Sequence, residues 1–180
     1  MTVADQLTVA RAVSVPIVVA LFAIPFHAHD YWATGVFIVA MTTDWFDGRL
    51  ARASGRTSSF GSLLDPVADK LLVLATLVVL LEQHVFPAWM VAAIVARELL
   101  ISGLRLAALE RGVVIAARDL GKLKTWSQAV AAAIGGLAAA GAWRHDVSVW
   151  ALAVALALTW ISGLDYARFA PQVLRGGATV

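Results

Sequence analysis

The stretch from Thr42 to Lys70, TTDWFDGRLARASGRTSSFGSLLDPVADK, decides how the rest of the chain is read. It carries four carboxylates, Asp44, Asp47, Asp65 and Asp69, inside segments otherwise apolar enough to enter a membrane. On a helix, Asp44 and Asp47 form an i, i+3 pair and Asp65 and Asp69 an i, i+4 pair, so each pair shares a face. A short polar connection, Ala53 to Phe60, joins the two helices. Carboxylates at membrane depth repel one another and cost about 2.5–3.5 kcal/mol each on insertion scales. Divalent hard cations with oxygen ligands are the partners that neutralise such a cluster.

Composition agrees with a membrane setting. Of 180 residues, 61% are hydrophobic and only 14% charged, and the mean hydropathy is +0.81. A soluble domain is about half apolar and a quarter charged, so a polytopic membrane protein is expected. At roughly 20 residues per span, six all-α spans use about two thirds of the length and leave short loops, with no separate soluble domain. Cysteine is absent, which excludes disulfides and thiolate metal sites. The net charge of +2 is small and gives no sign of a nucleic-acid partner. The first apolar segment lacks the pattern of a cleavable signal.

Outward from the central stretch, spans are expected near 7–26 (with Arg11 in its first turns and Pro16 inside), 31–52, 61–81, 86–109, 120–142 and 147–169. Residues 1–170 then make one domain, and 171–180 a loose Gly-rich tail. Arg11 reads either as a snorkelling cation or as a group near the site. Alternate loops sort by charge. Arg49, Arg52, Arg56, Arg111, Arg118, Lys122, Lys124, Arg168 and Arg175 fall on one side. His27, His29, Asp30, Glu82, His84, Arg144, His145 and Asp146 fall on the other. The positive-inside rule puts the first side and both termini in the cytoplasm. The histidines therefore lie away from the aspartates, which argues against a His-containing zinc or triad site.

A rise of about 1.5 Å per residue places Asp47 roughly 9 Å, Asp65 roughly 6 Å and Asp69 roughly 12 Å from the cytoplasmic ends of their helices. Arg105 and Lys122 come out within a few ångströms of that level. The expectation is a polar cavity open to the cytosol at headgroup depth. Attack on a diphosphate there needs charge neutralisation and a proton acceptor for the incoming hydroxyl. Four carboxylates can share two metal ions, with one left able to take a proton.

Written as spacing, the stretch is Asp44-x2-Asp47-Gly48-x2-Ala51-Arg52-x8-Gly61-x3-Asp65-x3-Asp69. This resembles, without a mismatch, the signature of the CDP-alcohol phosphotransferase family, membrane enzymes that build phospholipid headgroups. The resemblance implies that Asp44, Asp47 and Asp65 bind two Mg²⁺ or Mn²⁺ ions and that Asp69 is the general base, also available as a ligand. Gly48 and Gly61 either let the nucleotide approach or serve helix packing. Arg52 suits the diphosphate as a planar fork, and a small Ala51 keeps the cytidine pocket open.

Further stretches, LLDPVADKLL, AREL followed by LISGLR (Ala96 to Arg105), GKLKTWSQ (Gly121 to Gln128) and ISGLDYARFAP, are similar to the branch of that family making phosphatidylglycerophosphate. One departure is ADQLTVAR, with Ala4 and Asp5 where that branch has Pro and Asn. The implied substrates are CDP-diacylglycerol and glycerol 3-phosphate, in contact with membrane lipids, and a homodimer in the cell membrane is implied as well. For the acceptor's phosphate the candidates are Arg105, Lys122, Lys124, Arg118 and Arg97. Arg97 lies two turns, roughly 12 Å, deeper than Arg105; it either reaches toward the cavity or pairs with Glu98. The near rival is another branch of the family, making phosphatidylinositol phosphate or cardiolipin. The rival from a different class is a metal-coupled transporter, which would spread its acids through the membrane thickness rather than cluster them on one side.

Overall fold

The computed structural model describes residues 3–54, 59–110 and 119–167, with side chains at 9–43, 70–108 and 121–165. Among these residues the secondary structure is entirely helical: α1 (Val3–Ala23), α2 (His29–Ser54), α3 (Ser59–Glu82), α4 (Ala88–Glu110), α5 (Asp119–Ala139) and α6 (His145–Ala167). The all-α expectation holds. The helix ends differ from those read in the sequence by one to four residues. α1 begins at Val3, earlier than its apolar run, because the polar first turns are still helix-compatible. α5 stops at Ala139, short of Ala142. There Gly141 takes a φ of 74°, and the amide of Ala142 bonds back to the Leu137 carbonyl at 2.9 Å, which closes the helix.

The turns at 24–28, 83–87 and 140–144 reverse the chain between α1 and α2, α3 and α4, and α5 and α6. One end of the bundle is fixed by side chains. Gln83, after α3, donates to the Phe22 carbonyl at 3.3 Å and to Asp30 Oδ1 at 3.0 Å, tying the α3–α4 turn to the α1–α2 turn. Close approach to α5 occurs at the same end. A Cβ on Gly135 would stand 2.4 Å from Phe86 Cζ, and one on Gly136 would stand 2.2 Å from Thr34 Oγ1. Only glycines permit those contacts, and buried Ala131 and Ala132 on the preceding turn extend the small-residue face.

α5 packs on α2, α3 and α6; α1 packs on α2 and α3; α4 packs on α3 and α6. Between them lies a core of Val18, Phe22, Phe37, Leu72, Leu77, Leu80, Ile94 and Leu152. Large apolar side chains also cover the outside, including Val13 and Ile17 on α1, Leu99, Leu100 and Leu106 on α4, and Trp150, Val154, Ile161 and Leu164 on α6. A soluble monomer exposes few contiguous apolar patches of that extent, so the surface suits a lipid environment. Among the described residues one helix, over His145–Asp165, is long and apolar enough to cross a membrane by composition alone. α4 and α5 carry Arg97, Glu98, Arg105, Lys122 and Lys124 within their length, which lowers their apolar character.

Candidate active site

α2 ends and α3 begins at the end of the bundle opposite Gln83. Asp44 lies ten residues before Ser54 and Asp69 ten residues after Ser59, while Asp47 and Asp65 lie seven and six residues from those same ends. Counted along each helix, Asp44 and Asp69 lie about 15 Å, and Asp47 and Asp65 about 9–11 Å, in from those ends. The helical register keeps the i, i+3 and i, i+4 pairs intact. The side chains of Asp44, Asp47, Gly48, Ala51, Arg52, Gly61, Asp65 and Asp69 lie outside the described residues, as does Arg118 altogether. Among the described residues, no group of three or more His, Cys, Asp or Glu is placed to hold a metal. The donor set of four carboxylates is all hard oxygen, which fits Mg²⁺ or Mn²⁺ and is a poor fit to softer metals.

Beside α3 lies a polar interior. Arg97 (2% exposed) and Glu98 (3%) on α4 meet Lys124 (8%) on α5. One oxygen, Glu98 Oε1, accepts from Arg97 Nη1 at 2.7 Å, from Lys124 Nζ, and more weakly from Gln128 Nε2 at 3.4 Å. Gln128 also donates to Thr159 Oγ1 at 2.7 Å, and Arg97 Nη2 to Ser162 Oγ at 3.2 Å, so α6 closes the network. Gly163 makes room for it: a Cβ there would lie 2.9 Å from Arg97 Nε. One turn along α4, Ser102 Oγ donates to the Glu98 carbonyl at 2.6 Å and accepts from Lys70 Nζ at 2.7 Å. Lys70 directly follows Asp69, so the network reaches the α3 turn that bears the second aspartate pair.

Of the five cations read as acceptor-phosphate candidates, Arg97 and Lys124 are thus brought together on Glu98. Arg105 is half-buried, on the same α4 stripe as Glu98 and Ser102. Lys122 is exposed on α5, two residues before buried Lys124. Arg97 pairs with Glu98, one of the two alternatives left open by the sequence. Arg11 is buried, at odds with a snorkelling cation. The sequence assigns no role to Gln128, Ser102, Ser162 and Gly163, although they lie in the stretches quoted above, and Thr159 lies outside them. Their signal was polar or small residues recurring at i+3 or i+4 inside apolar helices.

A family model described as CDP-alcohol phosphatidyltransferase matches residues 1–161. A Bacillus subtilis (strain 168) protein described as CDP-diacylglycerol–glycerol-3-phosphate 3-phosphatidyltransferase is 42% identical over 140 residues, covering 71% of this chain and 72% of its own. A Mycobacterium tuberculosis (strain CDC 1551 / Oshkosh) protein described as probable phosphatidylglycerophosphate synthase is 40% identical over 176 residues, covering 96% of this chain and 83% of its own. A Haemophilus influenzae (strain ATCC 51907 / DSM 11121 / KW20 / Rd) protein described in the same words as the Bacillus one is 38% identical over 173 residues, covering 91% and 90%.

Proposed function

From its membership of the CDP-alcohol phosphatidyltransferase family, we infer that this chain moves a phosphatidyl group from CDP-diacylglycerol to glycerol 3-phosphate, giving phosphatidylglycerophosphate and CMP. The observation that carries the choice of acceptor is the similarity, over most of the chain, to proteins described as glycerol-3-phosphate phosphatidyltransferases. The intact aspartate spacing on α2 and α3 supports the family chemistry.

In the proposed mechanism Asp69 takes the proton from the 1-hydroxyl of glycerol 3-phosphate. The hydroxyl oxygen forms a bond to the β-phosphorus of CDP-diacylglycerol, and the bond to the CMP oxygen breaks. Asp44, Asp47 and Asp65, with Asp69 also available, would hold two Mg²⁺ or Mn²⁺ ions. When bound, such ions supply charge neutralisation at the phosphoryl oxygens. Arg52 grips the diphosphate, Gly48 and Gly61 admit the nucleotide closely, and Ala51 leaves its pocket open. Arg105 and Lys122 bind the acceptor's phosphate, with Arg118 nearby in sequence and Lys124 and Arg97 behind them.

All six helices cross the cell membrane in this reading, with both termini and the aspartates at the cytoplasmic side, and two copies pair as a homodimer. Support comes from the apolar outer surface and from Tyr31, Trp32, Trp89 and Trp143. These exposed aromatics gather at the end opposite the aspartates, as interfacial residues do. The test is product identity. Purified protein given labelled CDP-diacylglycerol and a panel of acceptors should make phosphatidylglycerophosphate. Preference for inositol phosphate or phosphatidylglycerol would move the chain to another branch of the family, and metal-coupled ion flux without CMP release would make it a transporter.

A further inference from the structure

Buried ion pairs seldom stabilise a fold more than well-packed apolar side chains of the same volume. The interior of α4, α5 and α6 nevertheless holds one carboxylate and two cations, each at most 8% exposed. Among the described residues, Glu98 is the carboxylate in contact with both Arg97 and Lys124. Its partners are arranged unequally. Arg97 has a second anchor on Ser162 and a seat over Gly163, whereas Lys124 is held at Glu98. Gln128 steadies the arrangement from the next turn of α5 by bonding Thr159 and approaching Glu98. The sum of charge in this cluster is one positive, and buried Arg97 Nε has no hydrogen-bond partner among the described residues. A buried surplus cation is costly unless an anion completes it.

We propose that Glu98 is a positioning residue for the anionic acceptor: it fixes the Lys124 ammonium in the interior, so that a cation of defined place awaits the acceptor's phosphate. The proposal rests on the assignment of glycerol 3-phosphate as acceptor. The contact with phosphate belongs to the cations; Glu98 acts through Lys124. Flexible lysine side chains lose several rotatable bonds of freedom on binding, and a carboxylate that has already immobilised the ammonium lowers that cost when the phosphate arrives. Ser102 connects the same Glu98 backbone to Lys70, beside Asp69, so an acceptor seated against the cluster is also placed relative to the proposed base.

The test uses full-length protein in detergent–lipid micelles and steady-state CMP release. Two variants separate position from bulk structure. Glu98→Gln keeps the shape and removes the charge. The double variant Glu98→Met/Lys124→Met removes the pair together and leaves the cluster's net charge as it was, with Arg97 keeping its bond to Ser162, and its melting midpoint is measured beside its activity. Both variants should raise the KM for glycerol 3-phosphate at least about tenfold, while that for CDP-diacylglycerol stays within about twofold. Glu98→Asp, which keeps the charge one methylene shorter, should recover part of the loss. Should Glu98→Gln fail to fold, Glu98→Asp decides alone: it keeps Lys124 and the charge that holds it but moves that charge, so its acceptor KM should still rise while that for CDP-diacylglycerol does not. An unchanged acceptor KM in a folded variant, or equal losses for both substrates, overturns the proposal. Wild-type protein that does not use glycerol 3-phosphate overturns the functional assignment and the proposal together; wild-type turnover with flat variants overturns the proposal only.

Discussion

The ammonium of Lys70 donates to Ser102 Oγ at 2.7 Å, joining the residue after Asp69 on α3 to the turn of α4 that follows Glu98. Ser102 in turn donates to the Glu98 carbonyl at 2.6 Å, so the hydroxyl is oriented by its own helix and its free lone pair faces the lysine. A hydrogen bond to a charged group contributes about 1.5–3 kcal/mol. Ser102→Ala should therefore lower the melting midpoint in detergent and lower kcat, through a looser α3 turn at Asp69, with Ser102→Thr retaining most of both. A wild-type kcat in Ser102→Ala would separate this link from catalysis.

Gly136 supports the bundle at its other end. Its missing Cβ admits Thr34, whose hydroxyl is committed to the Asp30 carbonyl at 2.6 Å. Gly136→Ala should cost on the order of 1–3 kcal/mol through overpacking. Adding Thr34→Ala removes Oγ1 and Cγ2 but leaves Cβ close, so the double variant should recover part of the loss. Thermal unfolding of the three proteins side by side checks this, and additive losses would contradict it.

The acceptor's phosphate separates one branch of the family from another. Arg105→Ala and Lys122→Ala should each raise the KM for glycerol 3-phosphate by an amount equivalent to about 1.5–3 kcal/mol, with the KM for CDP-diacylglycerol nearly unchanged. Equal losses for both substrates would assign these cations a general structural role.

Topology is open to labelling, because the chain has no native cysteine. Cysteines at Ser54, Gly112 and Gly177 should react from the cytoplasmic side, and cysteines at His29 and His145 from the opposite side. Ser54 and His29 reacting from one side would contradict both the span number and the orientation.

Much of this architecture is visible in the sequence where the determinants are local. The aspartate spacing and its placement on two consecutive helices follow from i, i+3 and i, i+4 intervals, and the six helices follow from apolar runs broken by polar turns. The end of α5 was less visible, because it depends on Gly141 adopting a positive φ inside an Ala/Gly-rich tract. The Glu98 cluster was the hardest to see. Arg97 was adjacent to Glu98 in the chain, but Lys124, Gln128, Thr159 and Ser162 join it only through the rotation of α5 and α6 against α4. Such rotations are set by small-residue packing at several contacts at once, including Gly163 under Arg97, and no single interval in the sequence encodes them.

The proposed division of labour on the two helices centres on Asp69. The decisive measurement is CMP release from CDP-diacylglycerol by wild-type protein and Asp69→Asn, with glycerol 3-phosphate present or omitted, in Mg²⁺ or in excess chelator. Wild type should release CMP only with acceptor and metal together, and Asp69→Asn should lose nearly all of it while remaining folded and inserted. Substantial turnover by Asp69→Asn at neutral pH, or wild-type release that persists in chelator, would contradict the mechanism.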